Sequence, residues 1–429
     1  MVSTEDTNGI GAGRPERLRA DEYLYLAFLV FLPVLYPLRV KFYGLVVAPA
    51  DALFAGAAVA WLVGLARGKA RLRRSWFYLP LALYLVAAIC SAAASEEPAR
   101  SAVKLAGKVY LISIAALTFN LVTSPALMRR AAGAWLVGTA LTVAACLAGI
   151  VLFYAGFRGP YNFALHSYGS LPHGHYPRVD GFFEYAAMLC NYLDVSFAVA
   201  LVMLSAGWLS ARWARPLIVS IWVAAAFTLT PGIGGLALIT GLWLGRRLNR
   251  TGRRGWGKLA VAWGCAAALA FFAAAALVLF SFGPEGAEVP LVRGRVEPSH
   301  RAEAWQTAFE TFKQHPVFGR GVGTEVSSAG FIDFSGRRVR LTDAHNTYLS
   351  VAGETGLVGL VTFGGILVFL LSGGSHSGRA LKTYLVLGLV GAFFYEGLVG
   401  SFEDARHVWA LFGLIAAARE GWRGQTSPV

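Results

Sequence analysis

The sequence predicts an all-α polytopic membrane protein of about twelve transmembrane helices, with one large extramembrane loop that contains amphipathic helices. Three observations predict it. Hydrophobic residues make up 56% of the chain and charged residues 14%, with a mean hydropathy of +0.55. That is more apolar surface than a soluble core of 429 residues can hide. Apolar runs recur along nearly the whole chain. Lysine and arginine cluster in alternate connections between them.

The runs place spans at 23–38, 45–66, 76–94, 101–122, 131–155, 182–209, 216–229, 234–245, 259–282, 347–371, 383–400 and 407–418. The stretch from Pro216 to Leu244 reads either as one long span or as a short pair turning at Thr230-Pro231-Gly232-Ile233-Gly234-Gly235. Basic residues decide for the pair, because it keeps Arg246, Arg247, Arg250, Arg253, Arg254 and Lys258 on the same side as Arg67, Lys69, Arg71, Arg73 and Arg74. On this topology 22 of the 38 lysines and arginines are cytoplasmic and six lie in short outer connections. Both termini are expected in the cytoplasm. The chain divides into 1–282 with nine spans, an outer loop at 283–346, and 347–429 with the last three.

The first twenty residues are polar and contain Arg14, Arg17 and Arg19, without the apolar core and small-residue cleavage site of a secretory signal, so the N-terminus is expected to be retained. Cys90, Cys146, Cys190 and Cys265 fall in apolar runs, spaced neither for a metal site nor for a disulfide framework. The formal charge of +14 is accounted for by the topology, which leaves no need for nucleic acid. The 283–346 loop carries eight basic and eight acidic residues and is nearly neutral.

Ionisable groups inside the spans include Asp51, Lys104, Lys108, Asp194, Glu354 and Glu396. Each costs about 2.5 to 3.5 kcal/mol near the bilayer centre, so together they mark either ion pairs within the bundle or a polar cavity opening outward. Lys104 and Lys108 share a helix face and are expected to pair with Asp51 or Asp194. In the loop, Pro298-Ser299 and His315-Pro316 bracket a helix with Trp305, Phe309 and Phe312 on one stripe. Arg301, one turn ahead of Trp305, is expected to face the bundle with that stripe, where it either snorkels to lipid headgroups or presents its two-donor fork to a phosphate. His345 stands at the outer mouth of the next span, where Asp343 or Asn346 caps the helix.

Three segments in order, Arg301-x3-Trp305, His315-Pro316-Val317-Phe318-Gly319-Arg320-Gly321-Val322-Gly323, and His345-Asn346-Thr347-Tyr348-Leu349 with Glu354-Thr355-Gly356-Leu357-Val358-Gly359, resemble the O-antigen ligase and polymerase superfamily, most closely the ligases. The resemblance is strong over about 228–371. It implies a bacterial inner-membrane glycosyltransferase with a periplasmic active site. The donor it implies is an undecaprenyl-diphosphate-linked glycan, transferred without metal or cofactor to a lipid A-core or other glycan acceptor among membrane lipids. Inversion at the anomeric carbon is expected. One feature departs from the family. Its serine-arginine-glycine motif is replaced by the 230–235 turn, which has no arginine.

His345 is accordingly expected to act as general base, with Arg301, Arg178 and Arg320 on the diphosphate. Asn346 and Glu354 support them. Gly232 and Gly234 are expected to expose free amides at a helix start as a substitute anion site. Compact size favours a ligase, while a polymerase differs only in taking a second lipid-linked repeat as acceptor. A lipid-linked glycan transporter is disfavoured, since no internal repeat is visible.

The topology makes a direct prediction. A cysteine placed at Ser328 reacts with an impermeant maleimide in intact spheroplasts. Reaction only after membrane disruption puts the loop on the other side.

Overall fold

The computed structural model describes residues 18–35, 40–42, 45–157, 165–167, 177–280, 287–289, 294–296, 300–332 and 338–422. The protein is mostly helical. In chain order its helices are α1 (Ala20–Phe31), α2 (Pro49–Ala66), α3 (Tyr78–Ala93), α4 (Pro98–Leu121), α5 (Pro125–Tyr154), α6 (Ala186–Ser205), α7 (Ala211–Phe227), α8 (Ile233–Arg250), α9 (Arg254–Phe280), α10 (Arg301–Gln314), α11 (Thr347–Leu371), α12 (Arg379–Leu389) and α13 (Arg406–Glu420). Each of the apolar stretches expected to span contains a helix. Among the described residues, seven are long and apolar enough to cross a membrane: α2, α4, α5, α6, α11, Arg254–Ala274 of α9, and α12 with its continuation to Leu398. These make the chain a multi-pass membrane protein. Pro216 to Leu244 is two helices, α7 and α8, joined by a turn at 228–232.

Helix starts follow local chemistry. Pro49, Pro98 and Pro125 each occupy the first turn, where no amide is missed. Ser124 Oγ accepts the Leu127 amide at 3.2 Å, and α5 begins six residues before the expected boundary because that cap precedes the apolar run. The helices pair as α1 on α2, α3 on α11, α4 on α13, α6 on α12 and α8 on α9. α6 is central, buried almost continuously from Leu189 to Met203. α8 and α9 approach closely because Gly241 faces Gly264, with no side chain between the backbones.

The chain is not purely helical. Among the described residues four two-stranded antiparallel ladders occur: β1 (Val40–Phe42) with β2 (Leu45–Val47), β3 (Leu165–Ser167) with β4 (Pro177–Val179), β5 (Ala287–Val289) with β6 (Gly294–Val296), and β7 (Ala329–Ile332) with β8 (Arg338–Leu341). The large loop was expected to hold amphipathic helices, yet among the described residues it holds one helix, α10, and two hairpins. Arg338-Val339-Arg340-Leu341 shows why, since polar and apolar residues alternate there with the period of a strand.

α10 stops at His315 before Pro316, as expected. Pro298 and Ser299 lie outside the described residues; the helix follows His300, which is left-handed at φ 52°. Ala304 and Ala308 are the buried face of α10, with Ala308 packed against Val326, Ala344 and Leu349, while Phe309 is exposed.

α11 is broken at Gly356, where φ is +65°. Two of its hydrogen bonds pass to the loop after α10. The Leu357 and Val358 amides donate to the carbonyls of Pro316 (2.8 Å) and Val317 (3.2 Å) instead of closing the helix, and the carbonyls of Gly353 and Glu354 accept the amides of Arg320 (2.9 Å) and Gly321 (3.1 Å). Gly319, at φ +69°, lies against the Glu354 backbone, and Gly356 lies against Val317. A Cβ at either position would collide with main chain.

Gly356→Ala is therefore expected to destabilise the protein by about 1–3 kcal/mol, seen as a lower Tm in detergent. Gly364→Ala on the same helix, where a Cβ meets open space, is the control. Equal Tm values for the two variants contradict this account of the break.

Candidate active site

The segment Asp343-Ala344-His345-Asn346 turns into α11. Asn346 is the cap, its Oδ1 accepting the amides of Tyr348 (3.0 Å) and Leu349 (3.1 Å). Asp343 is free for another task. Its Oδ1 accepts the hydroxyls of Ser350 (2.9 Å) and Ser401 (2.7 Å) and the His345 amide (3.2 Å). His345 is left-handed, at φ 48°, a conformation a non-glycine residue keeps only when its surroundings enforce it. Here they do. The Thr347 amide and hydroxyl both donate to the Gly400 carbonyl at 3.0 Å, and Asn346 Nδ2 donates to the Leu398 carbonyl at 3.2 Å. The other described non-glycine residues at positive φ are His300 and Leu229, each at the head of a segment the sequence singled out.

The His345 ring is part-exposed, with Nδ1 3.9 Å from Asp343 Oδ2. Burial lowers its pKa below the ordinary histidine value; Asp343 opposes the shift and Arg301 adds to it. Arg301 does face the bundle. Its Nη1 donates to the Val399 carbonyl at 2.9 Å, so α10 delivers a guanidinium to the same turn that clamps His345.

Beside this turn lies a charged cluster. Lys108 is buried, with Nζ 2.6 Å from Asp404 Oδ1 and 3.6 Å from Glu354 Oε2. Lys104 reaches Asp404 Oδ2 at 4.0 Å, and this outer pair is open to solvent. Burial and the Asp404 carboxylate push Glu403 well above the usual carboxylate range. The expected partners of the two lysines were wrong. Asp51 caps α2 by accepting the Ala48 amide (2.7 Å), receives the Tyr110 hydroxyl and pairs with Arg406 at 2.8 Å, while Asp194 faces Glu396. Asp404, Glu403 and Arg406 escaped notice because they sit in a short connection between two apolar runs.

The three arginines expected on one diphosphate occupy different neighbourhoods. Arg178, on β4, donates from Nε to the Thr228 carbonyl at 2.9 Å and so borders the 228–235 turn. Its neighbour Asp180 is pushed up to about 7 by burial, against the pull of Arg178. Arg320 pairs with Glu96 at 3.2 Å and donates to the Glu325 carbonyl at 3.1 Å. Glu354 belongs to the lysine cluster.

Nor are three of the amides at this turn free. Those of Ile233, Gly234 and Gly235 donate to Thr230 (3.4 Å), Pro231 (3.0 Å) and Gly232 (2.7 Å). Gly232 and Gly234 are glycines for a different reason. A Cβ at Gly232 would strike Glu396 and Cys190, and one at Gly234 would strike Tyr395, whose hydroxyl donates to the Pro231 carbonyl at 3.1 Å.

What joins these neighbourhoods is residues 395–404. Tyr395 and Glu396 touch the glycine turn; Leu398, Val399, Gly400 and Ser401 hold Asn346, Arg301, Thr347 and Asp343; Asp404 holds the lysines. Of this stretch the sequence singled out Glu396 alone, as an ionisable group near the end of an apolar run.

Residues 195–364 match a protein-family model described as O-antigen ligase. No curated protein matches the chain. The matched region contains the glycine turn, Arg301, Arg320, His345 and Glu354; Arg178 and residues 395–404 fall outside it.

The electrostatics of His345 can be checked directly. Acylation by diethylpyrocarbonate requires neutral imidazole, so its rate at His345, followed by mass spectrometry, should fall only below the ordinary histidine range near 6.5. Asp343→Asn removes a group that favours the charged ring and moves the inflection lower. Arg301→Ala removes one that disfavours it and moves the inflection higher. Opposite signs contradict the geometry.

Proposed function

We propose that this chain, which belongs through residues 195–364 to the O-antigen ligase and polymerase superfamily, is a ligase. In this reading it moves a finished polysaccharide from undecaprenyl diphosphate to a hydroxyl of lipid A-core on the periplasmic face. The observation that carries the reading is the convergence on one clamped turn of a histidine whose pKa burial lowers and a guanidinium brought by a separate helix.

The chemistry needs a base on the acceptor and a partner for the leaving group. His345 Nδ1 is turned to Asp343, which leaves Nε2 for the acceptor proton. The acceptor oxygen bonds to the anomeric carbon as the bond from that carbon to the diphosphate oxygen breaks, and attack from the opposite face inverts the centre. The departing diphosphate takes the electron pair. The planar guanidinium of Arg301, brought to this turn by α10, binds the diphosphate. Lys104, solvent-open beside the turn, adds positive charge. Arg178 and Arg320 serve elsewhere along the donor or as braces for their own segments.

A lowered histidine pKa suits this role. The ring is ready to accept a proton at neutral pH, at some loss of intrinsic basicity. A polymerase reading requires no change in this machinery, only a second lipid-linked repeat as acceptor. Deletion separates the two. Full-length polysaccharide stranded on the carrier identifies a ligase, and single repeats on the carrier identify a polymerase.

His345→Ala is expected to lower transfer by about 10²- to 10⁴-fold with donor binding and Tm retained. Arg301→Lys, which keeps the charge and loses the two-donor fork, is expected to weaken transfer as well. Transfer by His345→Ala above about a tenth of the wild-type rate removes the general-base assignment.

A further inference from the structure

One group of buried ionisable side chains plays no part in the proposed transfer. Cys190 and Asp194, four residues apart, share one face of α6. Glu396 meets them from the short 3₁₀ turn Glu396–Leu398, which follows a π-helical segment, Val390–Tyr395. All three are buried, and one ligand atom from each lies within 4.8 Å of the others. Neither oxygen of Asp194 nor Oε1 of Glu396 finds a hydrogen-bond donor among the described residues.

The surrounding backbone is shaped to admit the carboxylates. Gly235 and Gly391 leave space for Asp194, and Gly232 leaves space for Glu396; a Cβ at any of these would strike a carboxyl oxygen. Three glycines on two elements keep this volume open. π-helical segments are uncommon and gather at functional sites.

Charge is the difficulty such a site must resolve. Two carboxyls facing each other at full burial cannot both ionise without a counter-charge. Cys190, Asn191, Thr230 and Tyr395 all stand around them and bring none. The start of α8 abuts the pair at Gly232 and Gly235 and supplies the partial positive charge of a helix N-terminus, about half a unit. That cannot balance two carboxylates. Either a proton or a cation must lie between them.

We infer that Cys190, Asp194 and Glu396 form a buried site for a divalent cation of the zinc class. The thiol decides between cations. Calcium and magnesium take oxygen ligands, whereas one thiolate and two carboxylates, with a fourth position for water, suit zinc. Binding releases the thiol proton and any carboxyl proton, and leaves one net negative charge against the start of α8. The ion is structural, outside the transfer chemistry. It ties α6 to the 395–404 segment, two residues before Leu398, whose carbonyl receives Asn346 beside His345.

The test uses the full-length protein in detergent. Wild type equilibrated with zinc and then desalted is expected to retain about one zinc per chain by elemental analysis, and its Tm to fall on chelation. Cys190→Ser is expected to lose the zinc and the chelator sensitivity together. A chain carrying Cys90→Ala, Cys146→Ala and Cys265→Ala, exposed to cadmium, should show the ultraviolet thiolate-to-metal band, which reports ligation by Cys190 without altering the site. A wild-type protein that retains no zinc, a Tm indifferent to zinc and chelator, or absence of the cadmium band overturns the proposal. The two carboxyls then share a proton.

Discussion

Much of the architecture around α10 and α11 depends on one exchange of hydrogen bonds, in which the helix broken at Gly356 gives two amides and two carbonyls to the loop that follows α10. A helix interior normally satisfies itself, and in a membrane an unsatisfied pair costs several kcal/mol. Here the partner is another segment of the same chain. The exchange fixes the loop in position and register, sets Arg320 against Glu96, and anchors the end of α10 so that Arg301 comes to the right turn. The His-Pro-Val-Phe-Gly-Arg-Gly and Glu-Thr-Gly-Leu-Val-Gly stretches, about forty residues apart in the chain, are two halves of one joint. Gly319 and Gly356 are glycines because main chain meets main chain there, while Gly321 leaves room for Ser95 and Gly359 for Thr355.

The second organising element is the irregular segment after α12. A regular helix would carry Glu396 to Asp404 past the mouth of the bundle in a fixed spiral. The π-helical and 3₁₀ turns instead leave the carbonyls of Leu398, Val399 and Gly400 to side chains from α10 and α11. Backbone acceptors thereby position Asn346, Arg301 and Thr347, and the charged groups remain for other partners.

The sequence revealed what depends on local pattern. Apolar runs marked the helices, the Thr230–Gly235 turn split α7 from α8, His315-Pro316 ended α10, and Asn346 was recognised as a possible cap. Arg301 was expected to face the bundle and does. What it concealed were pairings across long separations. Nothing local distinguishes Asp404 from Asp51 as the partner of Lys108, since both precede or open a helix and only packing of α4 on α13 decides. The glycine turn misled for a related reason. Glycines that expose amides and glycines that make room for Tyr395 and Glu396 look identical in a sequence. Strand pairs in the large loop went unread because their runs are only three or four residues long.

The exchange at Gly356 also bears on how the protein is made. When α11 leaves the ribosome it cannot complete its own backbone pairing, and its partner, the Pro316–Gly321 stretch, has already been synthesised ahead of it. That stretch must therefore have reached α11 before the helix can settle with these amides and carbonyls satisfied. Biogenesis thus acquires an order of assembly. The helix that begins at the candidate active site becomes stable only after the loop carrying the rest of that site has arrived.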